Sequence, residues 1–174
     1  MSPRFKLKAL LLATSMMVLT ACGETEEEVL TYNTVQDCIR AGVKDEQTCR
    51  AEFDKAQRLH TEVAPRYSGA QQCYSDYGYD RCRRHSYSSG SSFWLPLMVG
   101  YMIAPRSGSY FYSQPLYRPS HDPNRYYTAG NGRLGEVSRD GRTRVAKSQT
   151  KRPPVRTRTV SRGGFGRRSV SSGG

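Results

Sequence analysis

The chain has 174 residues, 36% hydrophobic and 24% charged, with a formal charge of +12 and a mean hydropathy of −0.71. Its longest apolar runs fall short of the about 20 residues a membrane-spanning helix needs, so no such helix is expected. The charge is uneven: residues 23–90 carry nine Lys/Arg against twelve Asp/Glu, and residues 91–174 carry fifteen against three. A mildly acidic head is thus joined to a strongly basic tail.

At the N-terminus, Arg4, Lys6 and Lys8 precede an apolar run over residues 9–18 that ends in Leu19-Thr20-Ala21-Cys22. A basic start, a short apolar stretch and small residues before a cleavage point make a secretory signal. The triplet before Cys22 resembles the lipobox of bacterial lipoproteins, in which the cysteine is acylated and becomes the first residue of the mature chain. An ordinary secretory signal with an incidental cysteine is the competing reading. Residues 1–21 are therefore expected to be a signal peptide and Cys22 the lipid attachment site. Gly23 follows, where lipoproteins kept in the inner membrane often carry aspartate, so the expected location is the outer membrane facing the periplasm. Glu24, Glu26, Glu27 and Glu28 make residues 22–30 an acidic tether between lipid and fold.

Export changes the meaning of the remaining cysteines, because disulfides persist in the periplasm and are rare in the cytosol. Cys38, Cys49, Cys73 and Cys82 are even in number, and their spacings do not match the short Cys-x-x-Cys pairs of zinc or redox sites. Two structural bridges are expected. The local pairs Cys38 to Cys49 and Cys73 to Cys82 are preferred, with crossed pairing left open.

Around these cysteines the pattern is helical. Thr34 with Asp37 forms a capping box that opens a short helix closed by Gly42. Asp45 or Thr48 caps a longer helix with apolar or small residues at Cys49, Phe53, Ala56, Leu59 or His60, and Val63, and Pro65 stops it. Ser68 with Gln71 repeats the capping pattern before Cys73, and Gly78 ends a third helix. The fold class expected is a small mainly α, disulfide-stabilised module over residues 31–85, followed by a largely disordered basic C-terminal region.

Residues 86–105 begin as a Ser/Gly linker and continue as the most apolar stretch of the mature chain, from Phe93 to Ala104. Pro96 disturbs a helix there and the Phe93-Trp94 pair suits an interface. Phe93, Trp94, Leu95, Leu97, Met98 and Tyr101 are candidate contacts for a partner or membrane, or else core packed on the cysteine module. Residues 106–174 are rich in Tyr, Gly and Arg and poor in aliphatic side chains, so they are expected to be a disordered tail. Arg162, Arg167 and Arg168 lie in an Arg-Gly-Gly-Phe-Gly-Arg-Arg run. In a cytosolic protein that run would suggest nucleic acid, but outside the cytoplasm the available polyanions are lipid head groups and cell-wall polymers. A solvated tail that only keeps the protein soluble is the alternative.

The lipobox, the four-cysteine spacing, the Ser91-Ser92-Phe93-Trp94-Leu95-Pro96-Leu97-Met98-Val99-Gly100-Tyr101-Met102 block and the closing Thr159-Val160-Ser161-Arg162-Gly163-Gly164-Phe165-Gly166 resemble the YgiB family. These are small bacterial envelope lipoproteins grouped as a domain of unknown function. Family genes often lie beside a gene for an ATP-grasp ligase similar to glutathionylspermidine synthase, which implies an auxiliary subunit of such an enzyme as one role. The resemblance brings no catalytic residues with it. His60, His85 and His121 stand apart from any Cys, Asp or Glu in a metal or triad pattern, so neither an enzyme nor a metal or other cofactor is expected. The function expected is a lipid-anchored envelope protein that binds a protein partner or an anionic envelope surface.

Overall fold

The computed structural model describes residues 24–87, 90–105, 111–156 and 159–160. The three helices form where the caps place them. Thr34 accepts from the Asp37 amide, and Asp37 accepts from the Thr34 amide, both at 3.1 Å, to open α1 (Val35–Ala41), which ends at Gly42 with φ 67°. Asp45 caps α2 (Glu46–Val63) by accepting from the Thr48 amide. The third helix, α3 (Ala70–Tyr77), starts from Gly69 without a side-chain cap, so Ser68 does not play the part its sequence position suggests.

The fold as a whole corrects the mainly α expectation, because the described chain also contains nine strands in two sheets. The first sheet is antiparallel throughout and runs β7 (Tyr127–Thr128), β6 (Phe111–Tyr117), β5 (Gly100–Pro105), β1 (Glu26–Tyr32), β8 (Arg142–Ala146). It curls on itself: the Leu134 amide donates to the Tyr126 carbonyl beside β7, and the Gly135 amide donates to the Arg144 carbonyl in β8. One short segment thereby joins both edges of the sheet. The second sheet runs β3 (Cys82–Ser86), β4 (Ser92–Pro96), β2 (Arg66–Tyr67), β9 (Thr159–Val160), with β9 parallel to β2.

Two stretches expected to be disordered or solvated are therefore sheet. Glu26, Glu27 and Glu28 open β1, where Thr150 donates to the Glu27 carboxylate and Arg142 to that of Glu28. Within the expected tail, β6, β7 and β8 supply three of the five strands of the first sheet, including both its edges. The low aliphatic content misleads because tyrosine does the burying. Tyr101 and Tyr117 are fully buried and Tyr126 and Tyr127 nearly so, and an aromatic ring removes about 150–250 Å² from water. Residues 161–174 and the leader through residue 23 lie outside the described residues.

The core has three parts. Inside the curl lie Val29, Met102, Leu116, Leu134 and Val145. On the outer face, Leu30, Tyr101 and Ile103 meet α1 and α2 through Cys38, Cys49 and Ala56. The third part joins the end of α2, through Leu59 and Val63, to α3 and the second sheet through Tyr67, Tyr77, Phe93 and Leu95. The two bridges are the local ones. Cys38–Cys49 holds α1 to α2, and Cys73–Cys82 holds α3 to β3. Each closes a loop of about ten residues and contributes on the order of 2–3 kcal/mol in the chain-entropy account.

Helix α2 carries two polar ties on its buried side. Glu52 is 3% exposed and accepts from the Ser113 hydroxyl at 2.7 Å, while Lys55 donates to its other oxygen at 2.6 Å. Two turns on, His60 Nδ1 and the Tyr117 hydroxyl are hydrogen-bonded at 2.9 Å. Burial, and next the charge of His85, push the His60 imidazole down to about 4.

Two outcomes follow from these ties. Replacing Ser113 by Ala leaves the buried carboxylate short of a donor and is expected to cost about 1–3 kcal/mol in urea unfolding, whereas Ser113→Ala with Glu52→Leu recovers most of the loss. His60 titrates near 6.5 when unfolded and near 4 when folded, so the unfolded chain takes up the proton first and stability falls as pH falls through that window. The difference between wild-type and His60→Gln unfolding free energies is expected to shrink between pH 6.5 and 4, by up to about 3 kcal/mol.

Candidate functional site

Of the residues named from the sequence, the four cysteines form the two bridges just described. Phe93 and Leu95 are 5% exposed, and Tyr101 is fully buried. These three supply core, leaving Trp94, Leu97 and Met98 half-buried at its margin. The apolar block is therefore spread over two sheets, ending β4 and entering β5, and is not gathered on one surface. Cys22, Arg162, Arg167 and Arg168 lie outside the described residues.

A different surface gathers charge. Strand β3 is an edge of the second sheet, and Arg83 and Arg84 on it, with Arg81 just before it, are exposed. No carboxylate among the described residues pairs with any of the three, in contrast to Arg40, Arg50, Arg125, Arg133, Arg142 and Arg152, which all hold one. Asp80 is the nearest acid in sequence. It sits in the left-handed region at φ 61° and makes no ion pair with them. Arg84 instead points its fork at a neutral group, donating from Nε and Nη2 to the Ser92 hydroxyl at 3.1 and 2.9 Å.

Strand alternation divides the neighbours of these arginines between two faces. Opposite Arg84 on β4 lies Trp94, and Tyr67 of β2 lies opposite Trp94 in turn. Beyond Trp94 stand Tyr74, with ring centroids 5.9 Å apart, and then Tyr79, 5.2 Å further along and 78% exposed. On the other face His85 lies opposite Phe93, and His85, Tyr87 and Phe93 form a triangle of rings with centroids 5.1 to 5.9 Å apart. The Arg66 guanidinium sits 4.7 Å from the Phe93 centroid and 5.7 Å from that of Tyr87, a cation–π contact. Unneutralised guanidinium groups beside aromatic rings can hold an anionic group bidentately and an apolar or planar face at once.

Two clefts compare less well. One, of about 370 Å³, lies between α1, the end of β1 and the turn over residues 137–141. Its polar groups are largely engaged with each other: Asp37 with Arg40, Tyr126 with Asn33, and the Tyr32 hydroxyl with the Asp140 carbonyl. The other, of about 280 Å³, lies beside Lys55, Arg58 and Tyr112, where Glu62 and Arg152 are paired. Among the described residues no group of three or more His, Cys, Asp or Glu is placed to hold a metal ion, and no helix is long and apolar enough to cross a membrane.

The buried tyrosine hydroxyls serve the core. The Tyr67 hydroxyl donates to Asp76 at 2.8 Å, and burial with the Asp76 charge drives its ionisation well above the usual range for tyrosine. Burial does the same to Tyr77 and Tyr117. These groups stay neutral and serve the core.

The arginine edge is hidden in the sequence because Arg81, Arg83 and Arg84 belong to a region of net negative charge, while the excess of basic residues lies in the tail. The signal available was the Cys-Arg-Arg-His-Ser alternation after Gly78, a short run of strand character ending the helical pattern.

Comparison with known proteins finds relatives without an assigned activity. A family described as a protein of unknown function (DUF1190) matches residues 26–173. A UPF0441 protein of Erwinia tasmaniensis is 31% identical over 174 residues, covering 90% of this chain and 78% of the relative. Those of Sodalis glossinidius and Klebsiella pneumoniae are each 29% identical, covering 87% and 90% of this chain and 76% and 78% of the relative. No solved structure matches the chain. The match over residues 26–173 takes in both sheets, both bridges and the arginine edge, and with the relatives it shows that this chain belongs to the DUF1190 family, the UPF0441 proteins of YgiB type.

Proposed function

We propose that the protein is a lipid-anchored, non-catalytic component of the cell envelope that holds an anionic partner on the edge of its second sheet. The observation that carries the binding part is the set of exposed arginines, Arg81, Arg83 and Arg84, without a carboxylate partner. A charge that no internal group neutralises remains available to an external one, and an edge strand adds unpaired backbone donors beside it. The anchoring part is supported by the leader that ends in Cys22 and by the two bridges, which suit an oxidising compartment. The outer membrane, with the fold facing the periplasm, is the location that Gly23 after the cysteine favours.

Strand β1 starts at Glu26, four residues beyond Cys22. Four extended residues reach at most about 14 Å, so an acylated Cys22 would keep the fold against its own membrane. A partner must then be a component of that layer or of the polymer next to it.

Intact mass of the full-length protein, expressed in a Gram-negative host and extracted from membranes, tests the anchor. The expected mass is that of residues 22–174 plus acyl groups, rising by four hydrogens on reduction of the two bridges. A mass that retains residues 1–21 or lacks acyl groups overturns it. For the edge, Arg83→Glu with Arg84→Glu is expected to abolish binding of the extracted protein to anionic polymers that the wild type binds at low salt, with an unchanged melting temperature.

A further inference from the structure

The arginine edge lies against a row of aromatic rings, and the pairing of the two narrows the class of partner. Tyr79, Tyr74 and Trp94 follow one another at 5.2 and 5.9 Å between centroids, each ring turned against the next by 57° and 72°, and exposure rises from the half-buried Trp94 to Tyr79 at 78%. The row ends at Arg84, because Arg84 and Trp94 are direct partners across β3 and β4 and so project from the same face. The Arg84 guanidinium is held there by Ser92, two residues from Trp94 on that face. The Cys73–Cys82 bridge ties α3 to this face, since Cys73 is one residue from Tyr74 and Cys82 is two residues from Arg84 on the same side of β3.

Three kinds of anion could meet this surface, and they use it differently. An acidic peptide would need only the arginines. A phospholipid head-group layer would also need only the arginines, and Tyr79 would have no particular partner. A polysaccharide that carries carboxylates uses both parts: the C–H face of a sugar ring lies on an aromatic ring, and the acid group one bond away reaches the guanidinium fork. Cross-strand neighbours have Cβ atoms about 5 Å apart, which keeps ring and fork within reach of a single acidic sugar.

We infer that this face binds a carboxylated glycan, with the exposed Tyr79 and the edge of Trp94 against its rings and Arg84 on a carboxylate. The inference rests on the reading of the arginine edge as an anion-binding surface and specifies the ligand for it. Trp94 is the sole tryptophan of the chain, so its fluorescence reports on this face alone.

The test uses the full-length extracted protein and four probes: polygalacturonate, polyglutamate of equal charge, neutral dextran, and vesicles containing phosphatidylglycerol. Polygalacturonate is expected to change Trp94 emission saturably and to bind about tenfold tighter than polyglutamate, the equivalent of one good aromatic contact. Tyr79→Ala, at an exposed position that the fold does not need, is expected to remove that margin and leave polyglutamate binding unchanged. Arg84→Gln is expected to weaken both. Equal affinity for the two polymers with no Trp94 response, or tighter binding to vesicles than to polygalacturonate, overturns the glycan while leaving the anionic edge standing. Absence of binding to all the charged probes overturns both.

Discussion

Helix α2 has to lie across the curled sheet in one register, and most of the structure depends on how that register is set. Along one side of the helix Cys49, Glu52, Ala56, Leu59, His60 and Val63 turn inward, the spacing of a buried stripe. Apolar residues alone would let such a stripe slide by a turn. Directional contacts prevent it: the bridge to Cys38 at one end, Glu52 to Ser113 in the middle and His60 to Tyr117 at the other. Ser113 and Tyr117 sit four residues apart on β6 with side chains on the same face, so the helix is fixed to that strand at two points. The cost is a buried carboxylate and a buried imidazole, each tolerable only while hydrogen-bonded.

Tyrosine is the second constraint. The chain has few aliphatic residues after position 105, and it builds core from rings that each carry a hydroxyl. Several of those hydroxyls are hydrogen-bonded, Tyr32 to the Asp140 carbonyl and Tyr117 to His60 across the fold, Tyr67 to Asp76 and Tyr127 to Asp122 within ten residues. Such rings both pack and hydrogen-bond, and Tyr32 and Tyr117 in this way tie segments far apart in the chain. The strap over residues 147–156 behaves likewise. Gln149 accepts from Thr128 and receives Gln114, and Arg156 donates to the Ala129 carbonyl. It runs from the first sheet toward β9 in the second.

The arginine edge follows from these arrangements. The Cys73–Cys82 bridge sets α3 beside β3, and β4 and β2 occupy the inner side of that strand. What remains outward is the open edge with Arg83 and Arg84, and charges at an edge also deter unwanted strand pairing. A protective role and a binding role place the same requirement on these residues. The ring row beside Arg84 is what a merely protective edge does not need.

Much that was legible in the sequence was local. Thr34 with Asp37, Asp45, Gly42, Gly78 and Pro65 marked the helices because capping and chain reversal depend on a few adjacent residues. The even cysteine count pointed to two bridges, and the quoted blocks to the family. The strands were not legible: β6 and β8 mix Ser, Gln, Thr and Arg with Tyr, Leu and Val, a composition that reads as polar tail until the partner strands are known. Whether Glu26 to Glu28 form a tether or a strand depended on Arg142 and Thr150, more than a hundred residues away. The sequence by itself determined the helices, the disulfide cysteines and the chemistry available at each end. Only the tertiary structure decided which tyrosines are core and which arginines are free, because burial and neutralisation belong to pairs of residues that the chain brings together from afar.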